Sequence, residues 1–306
     1  HINIDCIVLN NDARPPKVQL YNPIEIKTRE LKITGKYLLV PTGTEGNNKH
    51  LVIKVGNTLV HNPLACLAYK PEDVLFWGHL DMSDYIGKTA TLSYSAFPDD
   101  DPLKLFEMSD KERNLQPLYS EPARPQFHHS QKRGWSNDSV GMVYYDGEYH
   151  LFFDSNPLSW THPGWENINW DNSTSPDMVH WTEQTYAFRP YGGDITDRHP
   201  SMAVRECFSG SGNIDLYNTA GWQKGKEKTM VVVFTDTGCG ESIAYSNDRG
   251  RTWTYDKKNP IIRHGGRDPK LVWYEPGKHW VIAVFDGEDR GGKKPGEENG
   301  GIAFFT

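Results

Sequence analysis

Short apolar runs separated by glycines and turn residues occupy the first third of the chain. Tyr37-Leu-Leu-Val40, Leu51-Val-Ile-Lys-Val55, Thr58-Leu-Val60 and Thr89-Ala-Thr-Leu-Ser-Tyr94 are strand-sized, and Gly35, Gly43, Gly46, Gly56 and Gly87 punctuate them. That length and spacing predict a small all-β sandwich-like module over residues 1–120. Phe97-Pro-Asp-Asp-Asp-Pro102 breaks the pattern, and Leu103–Asn114 reads as a short helix in a linker.

Beyond residue 120 the alternation lengthens and becomes aromatic. Met142–Tyr145 and Tyr149–Phe153 flank Asp146-Gly147, a pair that favours a tight hairpin turn. Leu271–Tyr274 with Trp280–Phe285, and Thr229–Phe234 with Ser242–Tyr245, predict two more hairpins. The pattern repeats. Asp138 and Asp268 are 130 residues apart, and each precedes an aromatic strand, a turn and a strand ending in Phe-Asp. Ser175-Pro-Asp-Met-Val-His-Trp181 and Ser246-Asn-Asp-Arg-Gly-Arg-Thr-Trp253 are similar turns whose tryptophans lie 72 residues apart. Repeated four-stranded units of roughly 60–65 residues predict a β-propeller. Innermost strands then line one axis, and Asp138 and Asp268 face it from different blades.

Composition narrows the partners. The 306 residues carry a net charge of −7, which disfavours nucleic acid, a ligand that calls for clustered Lys and Arg. No stretch approaches the ~18 apolar residues of a membrane span. Ten Trp and fifteen Tyr suit sugar binding and an all-β core equally. Cys6, Cys66, Cys207 and Cys239 have no metal-finger spacing and read as buried thiols. The start at His1, with no apolar leader, reads as a processed product. His128-His129 does not suggest a metal site, because neighbours on a strand point to opposite faces.

Two carboxylates converging on an aromatic funnel are the minimal equipment for glycoside hydrolysis. The competing reading makes Asp138 and Asp268 turn residues that cap backbone N–H groups. The flanking motifs carry a resemblance. Arg124–His128, Gly134-Trp-Ser-Asn-Asp138, Gly141–Phe153, Asn156-Pro157, Trp170 with Ser173–Ser175, Phe208-Ser-Gly-Ser211, Tyr245–Trp253 and Gly266-Arg-Asp-Pro269 follow the order of glycoside hydrolase family 32, which they resemble over about residues 124–306. That family comprises invertases, levanases and inulinases. The resemblance implies a five-bladed propeller and retaining cleavage of β-fructofuranosyl bonds in sucrose, inulin or levan. Asp138 would be the nucleophile and Asp268 the transition-state stabiliser. Trp135, Asn137, Asp154, Trp170, Phe208, Ser209 and Arg267 would bind substrate. No metal or cofactor is implied, and the location would be secreted, periplasmic or cell-surface.

Three departures bear on activity. Ser139 stands where the family has Pro, and Asp154 where it has Gln. A third carboxylate there is expected to raise the pKa of Asp138. The acid/base Glu, in a later Glu-Cys motif, is expected beyond Thr306, so residues 121–306 would supply about three blades and need the remainder of the propeller. Glu206-Cys207 precedes Phe208-Ser-Gly-Ser211, and Glu206 reads as an ordinary strand residue. An open arc would expose apolar inter-blade faces. The chain alone is expected to hydrolyse fructans weakly or not at all. Alternatives are a non-catalytic fructan-binding propeller and, on the single Ser-x-Asp-x-Gly-x-Thr-Trp box at 246–253, a sialidase-like propeller. A structural interaction module built on the N-terminal sandwich has no positive support.

Overall fold

The computed structural model describes residues 24–43, 49–113, 120–159, 168–184, 206–237, 239–286 and 300–306. Its regular elements are strands and three single-turn 3₁₀ segments, and no helix among the described residues is long and apolar enough to cross a membrane.

The N-terminal module has strands β1 (Glu25–Lys32), β2 (Tyr37–Gly43), β3 (Lys49–His50), β4 (Val52–Val55), β5 (Thr58–His61), β6 (Leu64–Ala65), β7 (Val74–Asp81), β8 (Thr89–Ala96) and β9 (Glu107–Ser109). One antiparallel sheet runs β1-β8-β4-β5, a second runs β7-β2-β9, and β3 pairs with β6. The two larger sheets enclose one core. Leu38 and Val40 of β2 and Leu80 of β7 meet Ile53 of β4 and Leu92 and Tyr94 of β8. Over the described residues 103–113 the expected helix does not form. Pro102–Leu105 is one 3₁₀ turn that buries Pro102 and Leu103, and β9 then pairs with β2. The backbone hydrogen bonds that a helix would make locally are made to a sheet edge instead. Arg29 holds this turn by donating to the Leu103 and Phe106 carbonyls at 2.6 and 3.0 Å.

The second part holds β10 (Trp135–Tyr145), β11 (Glu148–Asn156), β12 (Asn169–Ser175), β13 (Thr182–Glu183), β14 (Cys207–Asp215), β15 (Thr229–Asp236), β16 (Gly240–Ser246), β17 (Thr254–Tyr255), β18 (Arg267–Tyr274), β19 (His279–Asp286) and β20 (Gly301–Phe305). They form three up-and-down antiparallel sheets, β10-β11-β12-β13, β14-β15-β16-β17 and β18-β19-β20, in the manner of consecutive propeller blades. Asp146 and Gly147, with φ of 48° and 82°, make the two-residue turn between β10 and β11.

The two Ser-x-Asp turns share one hydrogen-bond plan. Ser175 Oγ accepts N–H groups from Asp177 and Met178, and Ser246 Oγ accepts them from Asp248 and Gly250. Each closing tryptophan donates its indole N–H to a turn carbonyl at 3.1 Å, Trp181 to Met178 and Trp253 to Gly250. The repeat read from the sequence is thus a repeat of local chemistry.

All eight residues of β15 are buried, and alternation splits its side chains between two seams. Met230, Val232 and Phe234 pack against the first sheet with Val140, Val143, Phe152 and Trp170. Val231 and Val233 pack against Leu271 and Ile282 of the third. The outer faces of the end sheets carry exposed apolar side chains, Met142 and Tyr144 on β10 and Ile302 and Phe304 on β20. Leu158, just after β11, inserts into the N-terminal core, and Arg133 donates to the Trp77 carbonyl at 2.9 Å and pairs with Glu112. These contacts fasten the first propeller sheet to the N-terminal module.

Cys66 and Cys207 are buried thiols, Cys239 is half-buried, and Cys6 lies outside the described residues. His128 and His129 sit in a loop rather than on a strand. His129 approaches Ser173 Oγ at 2.9 Å and packs against Phe153, while His128 is exposed.

Candidate active site

The first strands of the three sheets, β10, β14 and β18, each bulge at a polar residue. In β10 the register jumps between Ser136 and Ser139, so Asn137 and Asp138 lie together opposite Asp154. In β14 it jumps between Phe208 and Gly210, leaving Ser209 as the extra residue. In β18 it jumps between Arg267 and Lys270, around Asp268 and Pro269. A bulge re-aims a side chain without ending the strand, and three in adjacent strands gather residues distant in sequence. Gly210 permits the second: a Cβ there would lie 2.0 Å from the Val233 carbonyl oxygen.

Ser209 is the hub. Its Oγ lies 2.7 Å from Asp138 Oδ2 and 3.0 Å from Asp154 Oδ2. Asp138 is exposed, whereas Asp154 is only 3% exposed. Burial, reinforced by the charges of Asp138, Asp268 and Glu206, pushes the Asp154 carboxyl up to about 8, against the lowering bond from Ser209. Asp268 is also raised, by burial and by Asp138, with Arg267 opposing, and its Oδ2 pairs with Arg267 Nε at 3.2 Å.

A second layer supports Asp268. Its backbone sits at φ 63°, uncommon for a residue with a side chain. Its N–H donates to Thr235 Oγ1 at 2.9 Å, and that hydroxyl donates to Glu241 Oε2 at 3.1 Å. His264 Nδ1 accepts the Gly266 N–H at 3.0 Å, which leaves the ring proton on Nε2, 2.9 Å from Glu241 Oε1. Burial pushes Glu241 up to about 8. Sequence reasoning missed Thr235, Glu241 and His264. The only signal was a His two residues before Gly266-Arg-Asp-Pro269 and a polar Thr ending an apolar strand.

The remaining site residues divide. Trp135 opens β10 half-buried, opposite Asn156. Asn137 shares the Asp138 bulge, and its amide atoms are buried without a hydrogen-bond partner among the described residues. Phe208 is half-buried beside Ser209, and Arg267 is exposed next to Asp268 with its guanidinium over the Phe285 ring. Trp170 departs from its expected role as a substrate-binding residue. It is fully buried in the seam between the first two sheets, near Phe152 and Phe234, and its indole N–H donates to the Phe208 carbonyl at 3.0 Å. It shapes the site by holding the strand that carries Ser209. Glu206 immediately precedes β14, half-buried, and its charge reaches Asp154.

Residues 128–294 match the model of the Glycosyl hydrolases family 32 N-terminal domain. The levanase of Bacillus subtilis (strain 168) is 41% identical over 177 residues, covering 56% of this chain and 24% of the levanase. An extracellular exo-inulinase of Aspergillus niger is 35% identical over 195 residues, covering 54% of this chain and 34% of the inulinase. The crystal structure of exo-inulinase from Aspergillus awamori aligns with a TM-score of 0.45 at 31% identity, over 54% of this chain and 36% of that one. The chain thus spans about a quarter to a third of the length of these curated relatives. The family match covers more than half of the 306 residues and includes every bulged inner strand of the site, and the chain belongs to glycosyl hydrolase family 32.

Proposed function

We propose that this chain carries the fructosyl-binding and nucleophilic half of a retaining β-fructofuranosidase that acts on sucrose, inulin or levan type fructans. The meeting of Asp138 and Asp154 on Ser209, with the charge of Asp268 reaching both, carries this reading. Asp138 and Asp268 are both exposed, and Asp138, in the Asn137-Asp138 motif, is assigned as the nucleophile. It attacks the anomeric carbon, the glycosidic bond breaks as the leaving oxygen gains a proton, and water later releases fructose from the ester. Asp268, fixed through its backbone N–H and Arg267, accepts hydroxyl hydrogens of the fructosyl ring and offsets positive charge in the oxocarbenium-like transition state. Asn137, with its buried unpartnered amide, and Trp135, Phe208, Ser209 and Arg267 complete the sugar pocket.

The proton donor to the leaving oxygen is assigned to a carboxylic acid in the remainder of the propeller, outside these 306 residues. Residues 1–120 are proposed as an accessory module and 121–306 as the catalytic part. Relatives named as extracellular support a location outside the cytoplasm.

The test is calorimetric titration with a fructosyl trisaccharide, alongside fructose release from sucrose, inulin and levan. Binding is expected, with little release. Asp268→Ala should weaken affinity roughly 10–100-fold, the range for a lost charged hydrogen bond. Robust release by the chain alone would overturn the assignment of an external acid, and no binding at any pH would overturn the fructosyl site itself.

A further inference from the structure

One hydroxyl stands between two carboxyl groups. Ser209 Oγ is within hydrogen-bond distance of both Asp138 Oδ2, at 2.7 Å, and Asp154 Oδ2, at 3.0 Å. A serine hydroxyl carries a single hydrogen and two lone pairs. It can donate to only one of these oxygens, so two ionised carboxylates would leave one contact with lone pair facing lone pair. The geometry closes when one carboxyl carries a hydrogen, donates it to Oγ, and Oγ donates onward.

Surroundings decide which one. Asp138 is exposed, while Asp154 is buried and its Oδ1 has no hydrogen-bond partner among the described residues. Ionisation is costlier at the buried position. The groups that face Asp154 reinforce the choice: Asp138 of β10, Glu206 just before β14, Cys207 at its start, and Asp268 of β18, whose charge is shared with Arg267. Asp171 of the adjacent β12 turns away, accepting Ser155 Oγ at 2.7 Å.

We propose that Asp154 is a positioning residue that stands as a neutral acid and, through Ser209, holds the Asp138 side chain correctly aimed. The chain runs from Asp154 Oδ2–H to Ser209 Oγ, and from Ser209 Oγ–H to Asp138 Oδ2. The upward push on Asp154 to about 8 points the same way. A neutral carboxylic acid, like a side-chain amide, sets a donor on one arm beside an acceptor on the other, so Asp154 can fill a position where the family resemblance implies Gln. Losing the proton breaks the chain and puts a second negative charge beside Asp138. The link to sugar binding rests on the fructosyl-site reading above; the protonation state does not.

The first measurement is the side-chain carboxyl resonance of Asp154 in the ¹³C-Asp-labelled 306-residue chain, identified by its loss in Asp154→Asn and, should that variant fold poorly, by its shift in Ser209→Ala. A titration midpoint near 8 is expected. A midpoint near 4, the ordinary carboxylate value, overturns the proposal whatever the sugar does. The second measurement is trisaccharide affinity at pH 7 and pH 9. Wild type should weaken roughly tenfold, because the competent neutral fraction falls by that factor, and Asp154→Asn should change less than twofold. A high midpoint with pH-independent wild-type affinity overturns the positioning role. A high midpoint with no sugar binding at any pH leaves the neutral acid standing and removes the fructosyl reading instead.

Discussion

Thr235 ties one of the two principal carboxylates to the fold with a single oxygen. It accepts the Asp268 N–H and donates to Glu241, while Asp268 holds a positive φ that the backbone would otherwise leave. Thr235→Val keeps the shape and removes both bonds. It should lower stability by about 1–3 kcal/mol, the cost of leaving buried polar groups unmade, as read by urea unfolding. It should also weaken trisaccharide binding, with Thr235→Ser restoring both; unchanged affinity in the valine variant would detach Thr235 from the site. Asp138 and Asp268 were legible in the sequence because each opens the same aromatic hairpin unit. Thr235, Glu241 and His264 were not, because what joins them is contact between strands β15, β16 and the approach to β18, which no local pattern records. Trp170 shows the converse. Its motif was legible, but whether an indole faces a channel or a seam depends on the blade packed against it.

Bulges do for the inner strands what a register-perfect ladder could not: they present Asp138, Ser209 and Asp268 on one side while the strands keep pairing. Gly210→Ala would press a methyl group toward the Val233 carbonyl and force β14 to shift. Such overpacking costs roughly 1–3 kcal/mol, and thermal unfolding should move down accordingly. Because Ser209 is the adjacent residue, the Asp154 titration should move as well; a stability loss with no effect on Asp154 would mean that the bulge does not set the position of Ser209. The hairpins themselves were readable, since Asp146-Gly147 leaves the chain few other options. The 103–114 segment misled because Leu103 and Phe106 have helical spacing, whereas a neighbouring sheet edge was free to capture β9.

Across the whole molecule, buried titratable groups set the pH dependence of folding. Burial raises Asp154, Asp171 and Glu241 to about 8, and lowers His79 and His150 to about 4. The raised carboxyls bind protons more tightly when folded, so their stability is full below pH 4 and is lost as pH climbs toward 8. The two histidines work oppositely, and their stability is lost as pH falls from 6.5 toward 4. Among these described groups only the carboxyls act between pH 6.5 and 8, so Tm should fall over that interval and Asp154→Asn should flatten the fall. A Tm rising with pH there would show that these carboxyls are not buried as neutral acids. The two-faced burial of β15 has a mechanical corollary. Among the described residues, ten buried apolar side chains form the cluster between the first and second sheets, against four between the second and third. Stretched between handles on β10 and β20 in an optical trap, the chain should rupture at the weaker joint first, releasing β18–β20 as one step in extension. The remaining two sheets should then hold to a higher force and let go together.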